Sequence, residues 1–237
     1  DERTKAGIIK DDPKSEALIR PWLKGRDIKK WKAAWAGLFI IAIPSGANKT
    51  WPWTGQSLKK AEEIFNASYP ALYKHLKHYE AKLRSRSDQG EFWWELRSCD
   101  YYAEFDKPKI IMCRFMKTPI FCFDNGGPYF NDASYFLNDG DKFVLAFLMS
   151  NVGWYLLTKR GTDLRGDFYQ LFINMMENLH IYPASGSQKE PIIKLVETIL
   201  SSPDSPDVPL LEAEINKLVY ALYALTPAEI AIVEGKK

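Results

Sequence analysis

The hydrophobic pattern changes near residue 141, and this change limits the folds that the chain can adopt. Before that point the apolar segments are short and rich in β-branched and aromatic residues, as in 34–46 and 108–115. After it the apolar residues recur at helical spacing, most clearly in 210–225. The first pattern predicts strands and the second predicts helices. We therefore expect a mixed α/β (α+β) fold, in which a small sheet with flanking helices precedes a C-terminal helical segment.

Turn and capping residues place the expected boundaries. Ser57 precedes one predicted helix, and a longer helix is expected over 69–86, with a proline in its first turn. Further strands are expected over 119–124 and 134–137, separated by an Asp-Asn-Gly-Gly turn. The segment 167–179 (DFYQLFINMMENL) fits a helix or a strand. Thr226 is expected to cap the last helix through a capping box.

The same change of pattern gives the expected organisation of the chain. We expect a mixed-sheet region over 1–140 and a helical region over 141–237 that packs on it, the two forming one structural unit. The sequence begins Asp-Glu-Arg, without a methionine. We interpret this as a sign that the chain is a fragment of a larger protein.

Composition indicates a globular protein that does not span a membrane. Hydrophobic residues make up 46% of the sequence and charged residues 26%, which is enough apolar material for a core. The apolar runs are far shorter than a membrane span. Cys99, Cys113 and Cys122 form no CxxC pair and cannot all be joined, so we expect reduced thiols and a cytoplasmic location.

Charge is distributed unevenly along the chain. Six basic residues and one acid lie within 20–32, and four basic residues and no acid lie within 107–117. From residue 190 onwards, eight acids accompany four lysines. Such asymmetry is typical of a chain that binds a polyanion with its basic part, although each cluster could equally be a solvated surface. We expect the acidic C-terminal helices to pack away from that partner.

The sequence contains no recognisable catalytic site. Glycine-rich nucleotide loops and a GxSxG motif are missing. His75 and His78 could share a helix face, but they lack further ligands with supporting spacing, so we expect no metal site. Aromatic residues instead alternate with basic ones, notably in 93–112 (WWELRSCDYYAEFDKPKIIM). This arrangement suits either a core or a surface that binds nucleic acid.

Five stretches in order resemble the C-terminal target-recognition (specificity) domain of TaqI-like enzymes. This family comprises adenine-specific DNA methyltransferases and fused type IIG restriction-modification enzymes. The resemblance spans nearly the whole chain and rests on IRPWLKGRDIKKW, WWELRSCDYYAEFDKPKII, FCFDNGG, FVLAFLMSN and LEAEINKLVYALYALTPAEIAIVEG. It implies that the chain recognises a sequence in double-stranded DNA and has no catalytic activity alone. The Asn-Pro-Pro motif and the S-adenosylmethionine loop of the family do not occur in it.

The resemblance implies further expectations about partners and cofactor. An N-terminal methyltransferase domain in the same polypeptide would bind S-adenosylmethionine, and this chain would need no cofactor. The parent enzyme would methylate adenine at a specific site, with endonuclease activity where the two functions are fused. The strand end after KPKII would hold the residues that read bases, which are Cys113, Arg114, Met116, Lys117 and Thr118.

The basic clusters provide the candidates for contacts with the DNA backbone. Closely spaced lysines suit phosphates better than bases, which gives Lys24, Arg26, Lys29, Lys30, Lys107 and Lys109. Trp51 and Trp53 lie in a predicted loop and are candidates for aromatic contacts. The alternative function is a structural scaffold that packs on a catalytic domain without reading bases. A steep dependence of binding on salt would distinguish DNA recognition from this alternative.

Overall fold

The computed structural model describes residues 1–236 and has the expected mixed α/β fold. In this part of the chain the α-helices are α1 (Glu2–Asp11), α2 (Leu58–Ser68), α3 (Pro70–Lys77), α4 (Glu80–Arg84), α5 (Lys142–Met149), α6 (Asn151–Arg160), α7 (Ile173–Glu177), α8 (Gly186–Ser201), α9 (Val208–Leu222) and α10 (Pro227–Val233). The strands are β1 (Ile19–Leu23), β2 (Phe39–Ile41), β3 (Lys109–Cys113), β4 (Phe115–Met116), β5 (Phe121–Asp124), β6 (Tyr129–Phe130), β7 (Ser134–Leu137), β8 (Thr162–Leu164) and β9 (Phe168–Gln170).

The chain divides into two compact units, which are described separately. Unit 1 consists of Asp1–Trp22, Trp35–Asp106 and Gly127–Tyr129. Unit 2 consists of Leu23–Ala34, Lys107–Gly126 and the chain from Phe130 onwards. The expected boundary at residue 140 lies where predicted strands give way to predicted helices. The compact units have other boundaries, because each of them consists of segments that are separated in the sequence.

Aromatic side chains fill the core of unit 1. The rings of Trp51 and Trp53 stack with their centroids 5.0 Å apart, and Trp94 stacks on Phe65 at the same distance. The indole Nε1 of Trp53 donates to the buried carboxylate of Glu95 over 2.9 Å. The prediction that Trp51 and Trp53 form surface contacts is therefore wrong for this structure, because both side chains are buried.

Two expected elements of unit 1 are shorter than predicted. The strand expected over 34–46 is restricted to β2, which pairs antiparallel with β1. The helix expected over 69–86 is divided into α3 and α4, because Tyr79 leaves the helical region with φ −110° and ψ 6°. Hydrophobic periodicity does not detect a single residue that interrupts the backbone.

A sheet with the order β5-β3-β7 forms the base of unit 2. Its central strand pairs antiparallel with both neighbours, and Ile111 lies opposite Cys122 on one side and Phe136 on the other. Side chains from this sheet pack with α5, α8 and α9 in one apolar cluster. Burial of β3 on both faces explains its apolar sequence and makes it a rigid support for the residues that follow.

Lys109 is the exception in this apolar strand, because its side chain is fully buried. Its Nζ donates to the Asp124 carboxylate over 2.5 Å and to the Lys107 carbonyl over 3.1 Å. The prediction that Lys109 contacts a phosphate is therefore wrong for this structure. The ammonium instead joins β3 to the neighbouring β5.

No helix within residues 1–236 has both the length and the apolar composition needed to cross a membrane. In the same described range, no group of three or more histidine, cysteine, aspartate or glutamate side chains is arranged to hold a metal ion.

Replacing Asp124 by alanine should lower the free energy of unfolding by about 3–5 kcal/mol, because the buried Lys109 ammonium loses its counter-ion. Lys109→Met removes the charge and keeps most of the side-chain volume, so it should be markedly less destabilising. The double variant should be more stable than Asp124→Ala alone, as urea unfolding can measure. A double variant as unstable as Asp124→Ala would show that Asp124 acts through its turn and not through the charge pair.

Candidate nucleic-acid interface

The candidate interface in unit 2 begins at Arg114, where β3 ends. The Arg114 backbone N–H donates to the Ala133 carbonyl, and its carbonyl accepts from the Leu171 N–H, each over 3.0 Å. These two bonds connect the residue to chain segments on either side of it. The position of the Arg114 backbone is therefore fixed before any ligand binds.

The Arg114 side chain is also held in place. Its guanidinium lies 5.4 Å from the ring centroids of both Phe115 and Phe172. The hydrogen-bond surroundings of the Gln170 amide assign its oxygen to the side of the guanidinium, where it accepts from Nη2 over 2.7 Å and from Nε over 3.0 Å. A guanidinium has five N–H donors. Two of them are occupied by Gln170, and the remaining donors can bind an acceptor outside the protein.

The sheet next to Arg114 has the order β4-β9-β8 and two different faces. Met116 lies opposite Tyr169 in the register, and Phe115 lies opposite Gln170. Because side chains alternate along a strand, Met116 points to one face while Phe115 points to the other. Met116 is only 1% exposed, whereas Phe115 is 47% exposed. At β4, one face therefore packs on the core and the other faces solvent.

Two of the residues predicted to read bases lie at the exposed end of β4. Lys117 and Thr118 are both exposed. The Lys117 ammonium lies 4.8 Å from the centroid of the Phe168 ring, whose side chain is 40% exposed. Phe168 thus orients Lys117 without burying it, which leaves its N–H donors accessible.

Burial contradicts the predicted role of Met116, whereas the role of the half-buried Cys113 stays a prediction. The prediction for Met116 is wrong for this structure, because its side chain belongs to the apolar core. The Cys113 thiol lies 3.1 Å from the carbonyl oxygen of Gly25, to which it donates. Burial raises the pKa of this thiol, and the nearby Lys29 charge offsets part of the increase. Cys113 is therefore a protonated donor within the protein.

Within unit 2, the apolar and acidic residues of the basic segment Lys24–Lys32 hold it in place. Asp27, Ile28 and Trp31 are buried. The Trp31 N–H donates to the Phe121 carbonyl over 2.9 Å, and its indole donates to Glu212 over 2.5 Å. Trp31 has a φ of 68°, which is costly for a bulky residue and persists only where other contacts impose it. The segment is therefore an ordered loop and not a mobile arm.

The cations of this segment divide into two groups. Lys24, Arg26 and Lys29 are exposed and form no ion pair with any described residue. Lys30 pairs with Glu212 over 2.7 Å, and the ammonium of Lys32 with Asp204 over 2.5 Å. The C-terminal acids thus contact one end of the basic segment, which differs from the expectation that they pack away from it. The first group provides the uncompensated positive charge.

The structure brings the basic segment and the strand end together, although they are distant in sequence. The contact between Cys113 and Gly25 joins them, and a Cβ added to Gly25 would lie 3.7 Å from the Cβ of Ala133. Lys29 is close enough to influence the Cys113 thiol. The exposed Lys107 lies at the opposite end of β3 from Arg114 and does not join this group.

Sequence reasoning missed three residues of this surface, which are Phe168, Gln170 and Phe172. They belong to the segment that fitted a helix or a strand, and the structure resolves it into β9 followed by α7. The missed signal was a hairpin turn. Gly166 and Asp167 have φ values of 81° and 62°, and the alternation of Phe168, Tyr169 and Gln170 follows them.

No protein-family model matches the chain, and no curated protein matches its sequence. Among solved structures, the fold is similar to part of the type IIL restriction-modification enzyme MmeI in complex with DNA. The TM-score is 0.59 over 99% of this chain, and 13% of the residues are identical. This chain spans 32% of the length of that enzyme chain. At this identity the similarity concerns the fold alone, which is that of one part of a restriction-modification enzyme.

Proposed function

We propose that the chain recognises a specific sequence in duplex DNA, as the target-recognition part of an adenine-specific DNA methyltransferase or a type IIG restriction-modification enzyme. One observation carries the proposal. A pre-positioned arginine lies at the end of a rigid strand, and this strand end is joined to an ordered loop with three uncompensated cations. The fold similarity to part of a restriction-modification enzyme supports the same conclusion.

The two groups of cations suit different parts of DNA. The exposed cations of the first group are Lys24, Arg26 and Lys29. Exposed, flexible cations of this kind bind phosphates and position a protein on the DNA backbone without reading the sequence. Arg114 has a fixed planar guanidinium, and its remaining donors can bind the N7 and O6 acceptors of guanine in the major groove. Lys117 can donate to the same acceptors, and Thr118 can contact a base edge or a thymine methyl group.

Catalysis and S-adenosylmethionine binding belong, in this proposal, to a separate methyltransferase domain of the same polypeptide. The residues of this chain do not fit the cofactor. The sequence has neither the Asn-Pro-Pro motif nor a glycine-rich loop, and the strands of the β5-β3-β7 sheet pair antiparallel. A glycine-rich cofactor-binding loop connects the end of a parallel strand to the beginning of a helix.

The purified chain should transfer no methyl group to DNA, because these elements are missing. Incubation with DNA and labelled S-adenosylmethionine tests this. Incorporation of label above a heat-treated control would contradict the proposed division of labour, although not DNA recognition itself.

The double variant Lys24→Ala/Lys29→Ala should weaken binding to all duplexes to a similar degree. Each lost phosphate contact should reduce the slope of log K against log salt by about 0.9 for B-form DNA, because fewer counter-ions are released. Titrations of a mixed-sequence duplex at several salt concentrations measure this slope. The matched control is Lys194→Ala/Lys217→Ala, which removes the same charge from exposed positions on α8 and α9. Equal slopes for the two double variants would contradict the assignment.

Arg114→Ala should relax the preference at one base pair and leave non-specific affinity nearly unchanged. A good bidentate contact discriminates by about 1–3 kcal/mol, which is about a 5- to 150-fold difference between bases. Arg114→Lys should relax the preference as well, because an ammonium cannot form the bidentate contact. Selection from a random duplex pool compares each variant with the unmodified chain. An unchanged preference in a folded variant would show that Arg114 does not read a base. If the unmodified chain itself shows no preference among duplexes, the scaffold function is favoured.

A further inference from the structure

The exposed face of the β4-β9-β8 sheet carries aromatic side chains that the reading of base edges does not use. Phe115 and Phe168 are 47% and 40% exposed. Phe115 on β4 lies opposite Gln170 on the central strand β9, and Phe168 precedes Gln170 by two residues on β9. Because side chains alternate along a strand, both rings point to one face. Side chains of this kind on an open sheet face are a means of stacking on bases.

We infer that this sheet face binds unpaired bases, and that Phe115 and Phe168 stack on them. The inference rests on the proposed function and specifies the state of the DNA that the site accepts. In an intact duplex each base face is covered by its neighbours, so that only base edges are accessible. A ring can stack on a base only where the base pair has opened or where the DNA is single-stranded.

The charges around the two rings favour a nucleotide over an apolar protein partner. The Arg114 guanidinium lies 5.4 Å from the centroid of Phe115, and the Lys117 ammonium lies 4.8 Å from that of Phe168. Each ring therefore has a cation over one face, and this positive charge attracts an anionic nucleotide whose base stacks on the opposite face of the ring. Of the two acids in the β8–β9 hairpin, Asp163 lies opposite Tyr169 in the register and so points to the other face, and Asp167 lies in the turn directly before Phe168.

The position of the rings relative to Arg114 makes the two contacts compatible. Gln170 lies opposite Phe115 on β4, and it also binds Arg114. A base pair read by Arg114 would therefore be followed by bases that meet the phenylalanine face. The geometry favours DNA that is paired at Arg114 and opened next to it.

Three DNA forms of the same sequence test this inference: a perfect duplex, a duplex with one central mismatch, and a single strand. Stacking contributes about 1–3 kcal/mol per base. The mismatched duplex or the single strand should therefore bind about 5- to 150-fold more tightly than the perfect duplex, whose bases cannot stack on the rings. Phe115→Leu and Phe168→Leu remove the aromatic ring and keep an apolar side chain, so each should reduce the preference for unpaired DNA. Binding to the perfect duplex should fall by a smaller factor, which reports only the lost support for Arg114 and Lys117.

Tyr182→Leu serves as the matched control. Tyr182 is an aromatic residue of unit 2 with a similar exposure of 39%, and it lies outside this sheet. A second measurement locates the base directly. With 5-iodouracil at the mismatch, ultraviolet crosslinking should attach the DNA to Phe115 or Phe168, and peptide mapping should identify the residue.

The outcomes separate this inference from the proposed function. If the chain binds duplex DNA with salt dependence and sequence preference but shows no preference for unpaired bases and no crosslink at the sheet, the inference is wrong and the proposed function stands. If the chain binds none of the three forms, both are wrong. If Phe115→Leu disrupts self-association of the chain while preference among the DNA forms is absent, the face is a protein interface and the inference is overturned.

Discussion

The pairing of β3 with strands on both sides determines where the candidate interface lies. A strand bonded along both edges and buried on both faces cannot shift its register without exposing apolar side chains. The Lys109–Asp124 pair strengthens this constraint, because a slip by one residue would separate a buried charge from its counter-ion. Arg114 therefore leaves the sheet at a fixed point. Its direction is set by the same pairing that stabilises the core of unit 2.

The basic segment depends on the same sheet. Its anchor Trp31 bonds to the Phe121 carbonyl on β5, and the strained backbone at this residue is maintained by burial of the indole. Anchoring reduces the entropy that the loop loses when it binds a ligand, since its backbone is already ordered. The acids of α9 and of the preceding turn compensate Lys30 and Lys32. The net positive charge is thereby concentrated on Lys24, Arg26 and Lys29.

Local sequence signals identified elements well, and they failed where burial depends on distant partners. Residues 134–137 and the Thr226 capping box were predicted correctly, because strand alternation and capping are set by neighbouring residues. Lys109 was misjudged because its partner lies 15 residues away on another strand. Trp51 and Trp53 were misjudged because a tryptophan next to a turn can face inward or outward, and only the rest of the core decides which. The register of β4 with β9, which buries Met116, has no counterpart in local composition.

The contacts around Arg114 would lower the entropic cost of its proposed role in reading a base. A free arginine side chain loses up to about 2 kcal/mol of rotamer entropy when it is ordered. Here two rings and the Gln170 amide restrict the side chain in advance, so that less entropy is lost on binding. The same contacts occupy Nε and one donor of Nη2, which limits the directions from which an acceptor can approach. In the proposed role of reading a base, selectivity at Arg114 would therefore depend also on Gln170 and Phe172, although neither of them needs to touch the ligand.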